Sequence, residues 1–436
     1  MELPITARNG FSRGEDAASR AVQYRGRATP AFMHELDSTI EFDIAHDSEF
    51  FSAVPAQSAV FSIEPRAELD GAKPYLLRTA NLRERLARLL GPPDPASKRL
   101  NLREIAGLVR YRVVGSPFEL SYLHWQHARR LWPGSYRERA RLRPSAVLRV
   151  SLANAYPRCY ATRRIGPNGF YFGPFASRRA ADAFASGFLD LFKIRRCQIK
   201  IRRDPQFPGC IYSEMKMCLA PCFAGCTKEE YDVEVGRVVS FLATGGASLT
   251  AELGRERETA SEALDFERAA AVHRRIEKAA EALRGLPDLA RRLEDLNAVV
   301  LQQASEENTV AVFVVRAGRI EEPRLLRFAE LASEPRSVEQ ILREWLEGAA
   351  DPGAPAAKAG ASQHGYRELE DQLSLLARWF HKKPRVGEIF FRESTARTTA
   401  AAPQDEASAR RNSEWPYRRI LRACSRLLAP PPPAES

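Results

Sequence analysis

Five of the seven cysteines in this 436-residue chain fall within one stretch of thirty residues: Cys197, Cys210, Cys218, Cys222 and Cys226. Clustered cysteines in a chain with no visible secretory leader indicate a metal site, because cytoplasmic thiols stay reduced. Thiolates are soft ligands that favour zinc or an iron–sulfur cluster over oxygen-binding ions. The spacing is not that of a zinc ribbon, so the residues alone leave the metal open. A set of buried free thiols is the alternative.

The charge balance favours a polyanionic partner. The chain carries 66 basic and 55 acidic residues, a formal net charge of +11. Such a surplus is typical of nucleic-acid-binding proteins, although an arginine-rich solvated surface would give the same count. No run of about 18 apolar residues occurs, and the N-terminus lacks an apolar leader segment, so we expect no membrane span and a cytoplasmic location.

Alternating strand and helix patterns predict a multidomain α/β protein. Strands are expected at 58–63 and 73–78, followed by a helix over 82–90 that Asn81 caps. The predicted organisation has six parts: an irregular N-terminal extension at 1–50, a small α/β domain at 51–145, a cysteine-rich module at 146–230, a helical region at 231–290, a β-rich segment at 291–347, and a linker with a short helical tail at 348–436.

The cysteine-rich module resembles that of the UvrC family. The resemblance rests on the run Tyr171-Phe172-Gly173-Pro174-Phe175 and on the spacing Cys-x12-Cys-x7-Cys-x3-Cys that follows it. It implies that four cysteines hold a 4Fe-4S iron–sulfur cluster, with zinc as the alternative: Cys197, Cys210, Cys218 and Cys222. Cys226 is not among the matched four. Tyr156-Pro157-Arg158 and Thr162-Arg163-Arg164 match the family just upstream, and we expect Arg158, Arg163 and Arg164 to contact DNA.

A helix that begins near residue 263 resembles the UVR motif, through which UvrC-like proteins bind UvrB. Leu264, Ala269, Ala270 and Ile276 can share an apolar side, whereas Phe266 falls among charged residues. The resemblance implies that Phe266 anchors a UvrB-type partner, as an aromatic interface hot spot would. The predicted contact set is Leu264, Asp265, Phe266, Glu267 and Arg268. An ordinary surface helix is the alternative.

The N-terminal α/β domain resembles a GIY-YIG nuclease, the family's first incision domain. Such an enzyme uses a tyrosine, an arginine and a Mg²⁺-binding glutamate to cleave a phosphodiester. Tyr75 and Arg85 retain two of the family positions. The other tyrosine falls on Phe61, the metal-binding glutamate on His124, and a later asparagine on Tyr136. The domain is therefore predicted to be degenerate, and Mg²⁺ is expected only if incision activity remains.

The resemblance covers roughly residues 50–330, and the family's second, ribonuclease-H-like nuclease domain is not recognisable. The resulting hypothesis is a nucleotide excision repair protein that binds DNA and a UvrB-type partner without cutting. The alternative is a single-incision endonuclease with an altered site, which requires Glu119 or Glu84 within metal reach of Tyr75 and Arg85. A redox-sensing DNA binder is a third possibility. The oligomeric state and the lesion are left open.

Overall fold

The fold is mixed α/β, with three small antiparallel sheets in the part of the chain that is described. All of its elements lie in one compact unit that begins at Leu36. None of the described helices is long and apolar enough to cross a membrane. The computed structural model describes residues 35–66, 73–93, 96, 98–331, 333–348, 363–392 and 415–428.

The first sheet begins inside the predicted N-terminal extension. Its order is β1-β4-β2-β3, with β1 (Ser38–Glu41), β2 (Ala59–Pro65), β3 (Tyr75–Thr79) and β4 (Ala106–Val113). Because β1 pairs with β4, the domain starts before the boundary that the sequence predicted at residue 50. Residues 1–34 of that extension lie outside the described residues. A four-residue strand carries too little alternation to be recognised from sequence.

Helices cover both faces of this sheet. They are α1 (Asp47–Ala53), α2 (Leu82–Leu90), α3 (Pro117–Leu131) and α4 (Tyr136–Arg139). The start of α2 agrees with the prediction, since the Asn81 side chain accepts a hydrogen bond from the Glu84 amide at 3.2 Å. Helix α2 buries its leucines against Phe61, whereas α3 packs Phe118 with Val60 and Leu76 on the other face.

The middle of the chain joins a second sheet to a helical stack. Its strands run in the order β6-β5-β7-β8, where β5 is Ala146–Val150, β6 is Cys159–Thr162, β7 is Phe170–Phe175 and β8 is Arg291–Arg292. The helices are α5 (Arg178–Leu189), α6 (Ile211–Glu214), α7 (Lys228–Ala243), α8 (Ala247–Glu262) and α9 (Phe266–Leu283). Phe188 on α5 stacks on Phe241 of α7 with 5.5 Å between ring centroids, so sheet and helices share one core.

The third sheet uses residues that the sequence assigned to a linker and tail. Its order is β11-β10-β9-β13, and β12 also pairs with β10. The elements are β9 (Ala298–Gln303), β10 (Thr309–Arg316), β11 (Arg319–Ile320), β12 (Arg324–Arg327), β13 (Glu388–Phe391), α10 (Phe328–Leu331), α11 (Val338–Glu347), α12 (Gln363–Phe380) and α13 (Tyr417–Leu428).

Strand and helices from beyond residue 362 are integral to this core. Strand β13 pairs antiparallel with β9. Helix α12 packs on the face that carries Phe313, and α13 packs through Ile420 on the opposite face. Described residues within 348–436 therefore form part of the fold rather than a tail, while the predicted linker falls mostly on residues 349–362, outside the described ones.

Candidate functional site

The four predicted cysteine ligands share one neighbourhood after α5. Cys210 precedes α6, and Cys222 lies in a short turn between Ala220 and Ala224, which both have positive φ (54° and 62°). Burial is the main cause that raises the pKa of Cys218 to about 11, and the charges of Cys197, Cys222 and Cys210 raise it further. Burial also raises the pKa of Cys222, with Cys210 and Cys197 adding to the shift.

The donor set suits a thiolate-bound metal in its chemistry. Four thiols lie within electrostatic reach of one another, and the Ala220 amide donates to the Cys218 Sγ at 3.3 Å, a contact that favours a thiolate. Still, no three His, Cys, Asp or Glu side chains among the described residues converge in metal-binding geometry. Cys226 is buried beside Arg203 and Glu230, and its charge couples only to Cys222 of the four.

Arg195 and Tyr231 fasten the cysteine loop to the second sheet, and sequence reasoning missed the arginine. The buried Arg195 guanidinium donates to the carbonyls of Tyr156 and Ile199, at 2.8 and 2.9 Å. Tyr231 accepts from the Arg195 amide at 3.0 Å and donates to the Pro157 carbonyl at 2.8 Å. A single arginine among many basic residues gives no sequence signal of burial.

The tip of the α8–α9 hairpin exposes two adjacent apolar side chains. Leu264 is 71% exposed and Phe266 is 70% exposed, the largest values among the exposed large hydrophobic residues described. Asp265 caps α9 by accepting a hydrogen bond from the Arg268 amide at 3.0 Å. The tip is thus held in one backbone conformation while it presents apolar surface to solvent.

The structure of the hairpin differs in part from the apolar helix side that the sequence predicted. Leu264 does not belong to α9, because it has a φ of 56° and precedes the cap. Ala270 is exposed, whereas the buried positions on α9 are Val272 and Ala279. Of the predicted contact set, Glu267 is exposed, and Arg268 forms an ion pair with Glu256 at 3.4 Å.

The three predicted DNA-binding arginines lie around β6. Arg163 and Arg164 are exposed in the loop that follows the strand. Arg158 is half-buried, and its guanidinium carbon lies 4.2 Å from the centroid of the Tyr160 ring. The two exposed arginines are available to a phosphate backbone, while Arg158 is already stacked on an aromatic ring.

The nuclease-like positions do not form one site. Phe61 is fully buried and pairs with Leu77, and both pack towards α2; Tyr75, two residues before Leu77, belongs to the same face. Arg85 is half-buried on α2. His124, by contrast, is buried on α3, on the opposite face of the sheet, where burial and the nearby Arg78 lower its pKa to about 4.

Neither carboxylate that the endonuclease hypothesis requires is joined to Tyr75 or Arg85. Glu119 accepts a hydrogen bond from the Gly115 amide at 3.1 Å at the start of α3. Its burial raises its pKa to about 7, although that hydrogen bond and Arg112 act in the opposite direction. Glu84 is exposed on α2. No hydrogen bond or ion pair between described residues links either side chain to Tyr75 or Arg85.

Tyr136, the position that the sequence analysis matched to a nuclease asparagine, lies in a buried hydrogen-bond network. Its hydroxyl donates to the carboxylate of Asp371 on α12 at 2.5 Å. Asp371 is fully buried and also accepts from Arg137 at 2.7 Å and, more weakly, from the Trp125 indole at 3.4 Å. Arg137 reaches Glu370 as well, at 2.9 Å. This network, the Asp371 network, joins α3 and α4 of the first domain to α12.

Comparison with known proteins identifies the middle of the chain. Residues 146–241 match the family described as "UvrC/Cho excinuclease, middle domain". This segment runs from β5 to α7 and contains the four predicted cysteine ligands. It begins at the residue where the sequence placed the start of the cysteine-rich module.

Several relatives carry the name UvrABC system protein C. That of Ruminiclostridium cellulolyticum is 32% identical over 175 residues, which are 40% of this chain and 28% of the relative. That of Dehalococcoides mccartyi is 27% identical over 250 residues, 56% of this chain and 41% of the relative. That of Carboxydothermus hydrogenoformans is 30% identical over 188 residues, 43% and 31% respectively. The chain thus spans less than half the length of these relatives, and no solved structure matches it.

Proposed function

We propose that this chain, a relative of the UvrC family through its middle domain, is a cytoplasmic accessory protein of nucleotide excision repair. It binds a UvrB-type partner and DNA and makes no incision itself. The observation that carries the proposal is the exposed pair Leu264 and Phe266 at a capped hairpin tip. Apolar side chains in that setting are typical of an interface hot spot, because burial by a partner removes them from water.

The separation of the predicted nuclease residues supports the proposed lack of incision. A Mg²⁺-dependent nuclease needs oxygen ligands beside the attacking water, together with a cation that stabilises the phosphorane. Tyr75 and Arg85 lie on the α2 side of the sheet, and no hydrogen bond or ion pair between described residues joins either side chain to a carboxylate. His124 on the α3 side supplies a neutral, buried imidazole in place of a carboxylate. Arg163 and Arg164 would hold DNA through its phosphates.

The test of the proposal combines binding and incision. Anaerobically purified full chain is mixed with UvrA, UvrB and a labelled damaged duplex, with Mg²⁺ or Mn²⁺, beside a complete UvrC as the positive control. The expected result is binding to UvrB with no cleavage product above the background without protein. Cleavage that disappears in Arg85→Ala would overturn the non-cutting function and establish the endonuclease alternative. Failure to bind UvrB would overturn the partner assignment.

A structural metal at the four cysteines belongs to the same proposal. Cys197, Cys210, Cys218 and Cys222 would hold a 4Fe-4S cluster, with zinc as the alternative. The group would crosslink a loop that is otherwise fixed by Arg195 and Tyr231, which is a stabilising role without chemistry on DNA.

The ligand set predicts how metal content responds to substitution. Cys218→Ser is expected to lower the iron or zinc content per chain from the amount that fills one site to near zero, since a hydroxyl is a poor ligand for soft metals. Cys226→Ser, the matched control, is expected to leave the metal content unchanged. Elemental analysis with a sulfide assay measures both, and iron with equal sulfide distinguishes a cluster from zinc. Equal metal loss in the two variants would contradict the assigned ligand set.

A further inference from the structure

A pocket of about 370 Å³ opens where α3 of the first domain meets the C-terminal end of α12. Its floor is apolar and buried, formed by Phe118, Leu375 and Trp379. Two basic side chains at its rim, Arg378 and Lys382, come from the end of α12 and the turn that follows it. The pocket is assembled from three segments of the chain, which are β3, the start of α3 and the end of α12 with the residues that follow it.

The third cation at the rim is Arg78, which β3 contributes from the sheet. Its guanidinium donates to the Ser121 hydroxyl of α3 at 2.8 Å, so that hydroxyl and the arginine line the pocket together. Within the described part of the chain, the Arg378 guanidinium donates to a backbone carbonyl, that of Arg141, at 3.4 Å. No aspartate or glutamate is among the described residues that line the pocket, and no ion pair between described residues involves these three cations.

This concentration of positive charge is electrostatically unfavourable. The pKa of Arg78 is lowered, mainly by burial and further by the charge of Arg378, so the two guanidinium groups repel one another. Other exposed arginines pair with acids, as Arg336 does with Glu334 and Arg426 with Glu388. The rim cations lack the compensation that these arginines have.

We propose that Arg78, Arg378 and Lys382 form a phosphate-binding pocket at the junction of the first domain and α12. Three cations match the several oxygens and the negative charge of one phosphate group. The Ser121 hydroxyl positions Arg78 and donates its own proton to the Pro117 carbonyl at 2.9 Å. The aromatic floor suits an attached sugar or base better than a bare ion. The phosphate is that of a DNA backbone or of a free nucleotide.

The surface beside the pocket favours the DNA backbone. Lys383 and Arg385 follow Lys382, and both are exposed in the described structure. A basic track that continues from a phosphate site follows successive phosphates, whereas a free nucleotide needs only the pocket. The site lies outside the middle domain and outside the α8–α9 hairpin, so it adds a second phosphate contact to the proposed DNA binding, on which it rests, and does not depend on a UvrB-type partner.

The test compares two charge-matched double variants of the full chain. Arg378→Gln with Lys382→Gln removes two rim cations, while Arg418→Gln with Arg422→Gln removes two exposed cations on α13, on the opposite face of the third sheet. Fluorescence anisotropy with a labelled DNA duplex is measured across a salt series without partner proteins. A second arm titrates the chain with AMP and with inorganic phosphate. Circular dichroism and a thermal melt establish that both variants are folded.

The pocket variant is expected to bind the duplex about tenfold more weakly. The slope of its log affinity against log salt concentration should fall by the amount that corresponds to about two phosphate contacts. The α13 variant should bind like the wild type. Binding of AMP or phosphate that only the pocket variant loses would assign the site to a free nucleotide or phosphate and would also support a phosphate pocket. If the pocket variant matches the α13 variant in both arms, the inference is overturned, whatever the result with UvrB.

Discussion

Asp371→Ala is expected to lower the free energy of unfolding by about 3 kcal/mol or more, the largest stability effect that we predict for this chain. The Asp371 carboxylate is fully buried and accepts hydrogen bonds from Tyr136, Arg137 and Trp125. Removing it leaves the Tyr136 hydroxyl and the Arg137 Nε–H without the acceptor that they share, in a region that water reaches poorly. Burial raises the pKa of Asp371 despite these donors, so the carboxylate already bears a large desolvation cost that the network offsets.

Urea denaturation of the full chain, followed by far-UV circular dichroism, measures this effect. Glu344→Ala is the matched control, because it deletes an exposed carboxylate that pairs with Arg336 at 2.9 Å and should cost less than about 1 kcal/mol. Tyr136→Phe, which removes one neutral donor, should cost about 1 kcal/mol. If Asp371→Ala unfolds at the same urea concentration as Glu344→Ala, the network does not hold α12 on the first domain.

The Asp371 network gives a structural role to Tyr136, the position that the sequence analysis matched to a nuclease asparagine. The Tyr136 hydroxyl donates to a buried acceptor that α12 supplies. His124, the position matched to the metal-binding glutamate, is buried on α3, and burial is the main cause that lowers its pKa. Replacing Tyr136 by asparagine would remove this donor to Asp371. The α3 side of the first domain packs on the third sheet, since the Phe118 and Phe313 rings lie 4.9 Å apart between centroids.

The parts of the fold that sequence predicted are those whose signals are local. Asn81 predicted the start of α2 correctly, because a capping side chain bonds to an amide within the first turn of its helix. The cysteine spacing and the run from Tyr171 to Phe175 indicated the middle domain because both patterns are local in sequence. The exposure of Phe266 followed from an aromatic residue set among charges.

The parts that sequence missed depend on contacts across the chain. Asp371 lies in the segment from Glu370 to Ser374, which is polar except for Leu373 and is nonetheless buried in α12. These polar residues obscure the apolar pattern of a core helix, so the sequence indicated a short helical tail. The carboxylate's partners come from residues more than 230 positions away. Likewise, the rim of the phosphate pocket needs Arg78 and Arg378 to be brought together by the fold.

Phe266→Ala is expected to weaken UvrB binding by at least about 30-fold, which corresponds to about 2 kcal/mol for an interface anchor. The side chain is 70% exposed, so its truncation removes little packing within the chain, and the unfolding free energy should stay within about 0.5 kcal/mol of the wild type. Leu264→Ala should act in the same direction with a smaller loss. Isothermal titration of UvrB with each variant measures the dissociation constants.

The matched control is Val233→Ala, which truncates a side chain that is 65% exposed on a different helix, α7. It should bind UvrB like the wild type. Asp265→Ala tests the cap of α9, whose loss should cost about 1 kcal/mol of stability as well as affinity. If Phe266→Ala binds as tightly as Val233→Ala, the exposed tip is not the anchor, and the partner assignment would have to move to another surface of the chain.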